Sequence, residues 1–66
     1  MQIFINSAAQ EVEGAPSVAE LLARLKLDTR KIAVERNLAI VPKSRYDATT
    51  LAEGDRIEIV NFVGGG

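Results

Sequence analysis

The sequence contains no cysteine, no histidine and no tryptophan. Without cysteine the chain has no disulfide, no redox pair and no thiolate nucleophile. Without histidine as well, the common zinc sites and the usual acid–base triads are excluded. No apolar run approaches the roughly 20 residues of a membrane-spanning helix, and no basic start leads into an apolar signal core. A formal net charge of −1 provides no dominant attraction to nucleic acid or to an anionic membrane. The cytoplasm is therefore the expected location, with neither nucleic acid nor membrane as a partner. Carboxylates, lysines and hydroxyls remain, but they form no catalytic constellation. The chain is not expected to be an enzyme, nor to bind a metal or a cofactor itself.

What is present suits one small soluble domain. The 66 residues are 47% hydrophobic and 26% charged, enough apolar surface for a single core near the lower size limit for folding alone. A single domain over residues 1–66 is expected, with a flexible tail over residues 63–66.

The most informative stretch is Arg56-Ile-Glu-Ile-Val-Asn-Phe-Val-Gly-Gly-Gly66, a strand pattern running into three glycines. Glycine loses the most backbone entropy on ordering and offers no side chain to pack, so the sheet is not expected to continue through Gly64, Gly65 and Gly66. Extended, the stretch from Val63 onward reaches roughly 13 Å at about 3.3 Å per residue. It can thus enter a partner's active site while the globule stays outside. On this reading the carboxyl of Gly66 is the working group. By itself the stretch equally suits a frayed chain end or a linker remnant.

The remaining pattern predicts five strands and one main helix. Met1–Asn6 alternates, with Met1, Ile3 and Ile5 on one face and Phe4 on the other. Ser7–Gln10 reads as a turn, and Glu11–Glu13 as a returning strand with Val12 inward. Gly14-Ala-Pro16 breaks the strand pattern. Ser17 then opens a helix, with Glu20 completing a Ser-x-x-Glu capping box. Val18, Leu21, Leu22 and Leu25 form one apolar stripe, and Glu20 and Arg24 are placed to pair on the solvated side. Ile32–Arg36 is a strand with Ile32 and Val34 inward. Asn37–Ala39 turns the chain into a short edge piece, Ile40-Val41, which Pro42 stops. Tyr46 and Leu51 are core anchors, Glu53-Gly54-Asp55 is a turn, and the last strand buries Ile57 and Ile59. An amphipathic helix after a hairpin must cover one face of a mixed sheet. Pairing the first and last strands in parallel at the sheet centre is the economical way to bury both apolar faces. It gives the β-grasp arrangement of the α+β class, an order that rests in part on the family resemblance given below.

The outward positions of the last strand run Arg56, Glu58, Val60, Phe62, charged at first and apolar beside the tail. Together with Phe4 and Val63, Val60 and Phe62 are the expected partner-docking surface, three of these side chains converging near the tail. Alternatively they fill gaps under a loop.

Val34-Glu-Arg-Asn37, Ile40-Val-Pro42, Arg45-Tyr46 and above all Gly54–Gly66 resemble the ThiS family, thiamine-biosynthesis sulfur carriers among the ubiquitin-like β-grasp proteins. The resemblance covers the whole chain and is most specific in the tail. Asn61 stands where the family often has histidine before the aromatic, at a position not expected to carry chemistry. The resemblance implies that an adenylating enzyme, similar to the activating enzymes of ubiquitin, joins the Gly66 carboxylate to AMP from ATP. A cysteine-derived sulfur donor then supplies sulfur for a terminal thiocarboxylate, which thiazole synthase consumes. A terminal Gly-Gly also suits a sulfur carrier for molybdopterin or tRNA thiolation, or a ubiquitin-like protein modifier. A plain interaction module using the Phe4, Val60 and Phe62 face is the remaining alternative.

Overall fold

Asn6 and Ser7 take φ of 50° and 71°, and Asn37 and Leu38 take 51° and 72°. Two consecutive positive φ values make the two-residue turn whose twist suits a hairpin. Each pair closes one. In the computed structural model, which describes residues 1–62, the first hairpin joins β1 (Gln2–Ile5) to β2 (Ala8–Glu11) and the second joins β3 (Ile32–Arg36) to β4 (Ala39–Val41). Ile5 faces Ala8 across the first turn, and Arg36 faces Ala39 across the second.

The expected turn at Ser7–Gln10 is therefore corrected: the chain reverses at Asn6-Ser7, and Ala8–Glu11 is already strand. β2 is exposed along its length. Val12 follows the strand, donates its N–H to the Met1 carbonyl at 2.8 Å, and packs partly buried against the core.

Five strands form one sheet in the order β2-β1-β5-β3-β4, with β5 (Arg56–Asn61) in the centre. β1 and β5 run parallel and the other neighbouring pairs antiparallel. This is the β-grasp topology. The parallel pairing requires a crossover, which the helix and its flanking loops provide.

The helix α1 spans Val18–Arg24 and starts as the sequence predicts. The Ser17 hydroxyl accepts from the Glu20 N–H at 3.1 Å, and the Glu20 carboxylate accepts from the Ser17 N–H at 2.8 Å. The helix closes at Leu25 with Lys26 at φ 59°. Lys26 N–H donates to the Ala23 carbonyl and Leu27 N–H to the Leu22 carbonyl, at 3.0 and 3.1 Å. These two bonds define a Schellman end, built here on lysine instead of the usual glycine.

Two helix expectations are corrected. Leu25 is 42% exposed, because the helix ends before the stripe completes another turn. Glu20 and Arg24 form no ion pair: Glu20 is committed to the cap, and Arg24 Nη1 donates to the Glu13 carbonyl at 2.9 Å.

The core lies between α1 and one face of the sheet. Val18, Leu21 and Leu22 meet Ile3, Ile32, Val34 and Ile57, all essentially inaccessible, with Val41, Tyr46 and Leu51 closing the edges. Each such aliphatic side chain contributes about 1.5–3 kcal/mol on full burial. Met1, Ile5 and Ile59 pack partly buried against them, on the face the alternation assigns.

Candidate functional site

The central position of β5 determines what the chain can present. Its core face holds Ile57 and Ile59, so Arg56, Glu58 and Val60 face away from the helix, and Phe62 follows directly after the strand. Val60 is 56% exposed and Phe62 48%. Val60 stands opposite Ala33. Phe62 is anchored past the end of the strand by its N–H, which donates to the Lys31 carbonyl at 2.8 Å. The Lys43 ammonium lies 5.9 Å from the Phe62 ring centroid, at the outer range of a cation–π contact. Val60 and Phe62 thus form a two-residue apolar step at the end of the described chain. Val63, Gly64, Gly65 and Gly66 lie outside the described residues.

Phe4 shares the open face but not the neighbourhood. The parallel register sets Phe4 beside Arg56, whose guanidinium lies 4.9 Å from its ring centroid. Val60 is four positions further along β5, roughly 13 Å at about 3.3 Å per residue. The expected convergence of Phe4 with Val60 and Phe62 is corrected accordingly. Val60 on β5 and Phe62 just past it are both exposed, while Phe4 belongs to the other end of the sheet.

At that end the structure assembles a group that the sequence reading did not contain. Glu35 lies directly opposite Glu58 on β3 and β5, and Ile40 lies opposite Glu35 on β4. Phe4, Ser7, Glu35, Leu38, Arg56 and Glu58 line an open depression of about 310 Å³. Leu38 and Ile40 are strongly exposed. The sequence signal for Leu38 was available, since an apolar residue following Asn in a tight turn has no core to enter.

The turn before β5 is held by Asp55, which is 6% exposed. Its carboxylate accepts from Arg36 Nε at 2.8 Å, Asn37 Nδ2 at 3.1 Å and the Ala52 N–H at 2.8 Å. Burial alone raises its pKa. The Arg36 hydrogen bond, those from Ala52 and Asn37, and the Arg36 charge outweigh burial and hold the carboxyl below the ordinary carboxylate value. Asn37 in turn accepts from the Arg56 N–H at 3.0 Å through Oδ1. The second hairpin is thereby tied to the start of β5.

Among the described residues no cluster of three or more metal-ligating side chains occurs, and no helix is long and apolar enough to cross a membrane. What the described residues offer is a central strand whose end is fixed by the Phe62 N–H on the Lys31 carbonyl, with Val60 and Phe62 exposed beside it.

This topology and this strand define a ubiquitin-like β-grasp domain. A model of the ThiS family matches residues 3–66, including the glycines. A crystal structure of the thiamine biosynthesis protein ThiS from Geobacter metallireducens is similar along the full length of both chains, with a TM-score of 0.88 and 35% identity. The sulfur carrier protein ThiS of Bacillus subtilis is 46% identical over 50 residues, covering 76% of each chain. A thiazole synthase of Paramagnetospirillum magneticum is 47% identical over all 66 residues, which make up 20% of that protein. The chain therefore spans about one-fifth of the length of the thiazole synthases it matches. The chain belongs to the ThiS family, the family of the sulfur carrier and the thiamine biosynthesis protein just described.

Proposed function

We propose that the chain is a sulfur carrier for the thiazole moiety of thiamine, with the Gly66 carboxylate as its working group. The carrying observation is the family match over residues 3–66, which runs through the glycines to the chain end. An ionised carboxylate is resonance-stabilised and a poor acyl electrophile. An adenylating partner therefore attaches AMP from ATP, releasing pyrophosphate and creating a mixed anhydride with a good leaving group. A sulfur nucleophile derived from cysteine displaces AMP. Once a thiol has reduced any S–S bond to the donor, a thiocarboxylate remains. That group is ionised at neutral pH and nucleophilic through sulfur, so thiazole synthase can take the sulfur from it.

The composition supports this division of labour. A chain without cysteine cannot itself hold a persulfide, which leaves the terminus as the place for sulfur. Gly64, Gly65 and Gly66 act by lacking side chains, which lets the end pass through a narrow channel. Val60 and Phe62, with Val63 beyond them, are the apolar docking step for the adenylating enzyme, since they precede the reacting end directly. The chain is a substrate of its partners, and ATP is bound by the adenylating enzyme.

Intact mass spectrometry after incubation with ATP, the adenylating enzyme and a sulfur donor tests the reading. The expected product is heavier by the exchange of one oxygen for sulfur, mapped to Gly66, and thiazole synthase with its substrates returns the original mass. Transfer instead to a molybdopterin or tRNA acceptor, or an isopeptide link to a lysine of another protein, replaces the thiamine assignment. An unmodified terminus in the presence of an active enzyme and donor overturns the carrier reading.

A further inference from the structure

The open sheet face carries a second group that the tail chemistry leaves unused. Leu38 is 90% exposed and stands at φ 72°, a conformation that favours glycine or asparagine. A large apolar side chain is thus held in water at a strained backbone position, where glycine would suit the turn on both counts. Such conflicts between local preference and native conformation concentrate at functional sites.

Beside Leu38, Glu35 and Glu58 face each other across β3 and β5, and both are half-buried. Like charges directly opposite one another weaken a sheet. Among the described residues neither carboxylate has an ion pair. Arg56, on the same face, has its guanidinium over the Phe4 ring at 4.9 Å and bridges neither. The depression of about 310 Å³ thus sets two carboxylates without an ion pair beside the apolar surface of Leu38. With the single cation Arg56 held over Phe4, its lining carries one more negative than positive side chain.

We propose that this depression receives an arginine side chain projected by thiazole synthase. The guanidinium lies between Glu35 and Glu58, and its methylene stem runs along Leu38 and Phe4. A planar, weakly hydrated guanidinium can serve two carboxylates at once and tolerates an apolar floor, which a compact ammonium does less well. The proposal rests on the carrier reading above. The acceptor enzyme is the occupant because a segment 47% identical to this chain forms 20% of a thiazole synthase. A permanent tether keeps two such surfaces at high effective concentration, where a small charged contact suffices. The contact is separate from the Phe62 step, so the carrier can be recognised at two ends of one sheet face.

The test measures fluorescence anisotropy of the labelled full chain against thiazole synthase, together with thermal melts of the free chain. Leu38→Gly and the double variant Glu35→Gln/Glu58→Gln are compared with wild type. Both variants are expected to melt at or above the wild-type temperature and to bind at least about tenfold more weakly. The double variant should also lose most of the salt dependence of binding. Wild-type affinity in both variants overturns the proposal. So does a loss confined to the adenylating enzyme, or a wild-type dimer that the double variant dissolves. If the loaded wild-type chain neither binds thiazole synthase nor passes sulfur to it, the carrier reading fails as well, before any variant is compared.

Discussion

Arg36 and Asp55, nineteen residues apart, meet through a 2.8 Å bond from Nε to Oδ2 that ties the end of β3 to the turn feeding β5. The same carboxylate binds Asn37 and the Ala52 N–H, so one side chain positions the hairpin that carries Leu38 and the start of the central strand.

Replacing Asp55 by alanine removes all three partnerships and leaves the partly buried Arg36 side chain without its carboxylate. The expected loss is about 2–3 kcal/mol, within the range for breaking a buried charged hydrogen-bond group. Urea denaturation checks it; a loss below about 0.5 kcal/mol would show that water replaces these bonds without penalty.

Acid should weaken the fold through the same group. The folded pKa of Asp55 lies below its ordinary value of 3.8, so the unfolded chain takes up the proton first as pH falls. The stability it contributes is complete above that value and is lost as pH drops through the lower, folded pKa. Denaturation series from pH 5 down to about 2 should show this decline. Asp55→Asn should make it shallower, leaving the half-buried Asp28, whose bonds to Arg30 lower it to about 2, and Glu20 as remaining contributors.

Ser17→Ala removes one half of the capping box and leaves the Glu20 N–H without its acceptor. A cost of about 1 kcal/mol is expected for losing a serine N-cap. Far-UV circular dichroism at rising denaturant reports it, with the β-sheet otherwise unchanged.

Lys26→Gly should act in the opposite direction. Lys26 holds φ 59° only to complete the Schellman end, and glycine adopts that conformation without a Cβ conflict. A gain of up to about 1 kcal/mol is expected. An unchanged or lower melting temperature would mean that the lysine side chain contributes more than the strain it brings.

Gly66→Ala should leave the fold and melting temperature unchanged and abolish sulfur loading, because a Cβ at the reacting residue narrows the fit in the partner's channel. Normal loading by mass spectrometry would refute the channel argument while leaving the carrier chemistry standing.

Much of this protein is determined by sequence alone, because the relevant signals are local. The Ser17–Glu20 box, the Val18-Leu21-Leu22 stripe and the alternation of Ile3, Ile57 and Ile59 each lie within a few residues of one another. They define the helix, its buried side and the strand faces. Parallel pairing of the terminal strands is the economical way to bury those faces together, and that strand order rests partly on the family resemblance. The hairpin turns were less legible, since Asn6-Ser7 and Asn37-Leu38 adopt positive φ without a glycine to mark it. Tertiary structure alone decided the registers. A parallel register sets Phe4 against Arg56 and away from Val60 and Phe62, while an antiparallel one sets Glu35 against Glu58. Alternation gives the face on which a side chain lies, but its neighbour on that face depends on how far one strand slides along the next. That offset is fixed by turns and packing distributed over the whole chain.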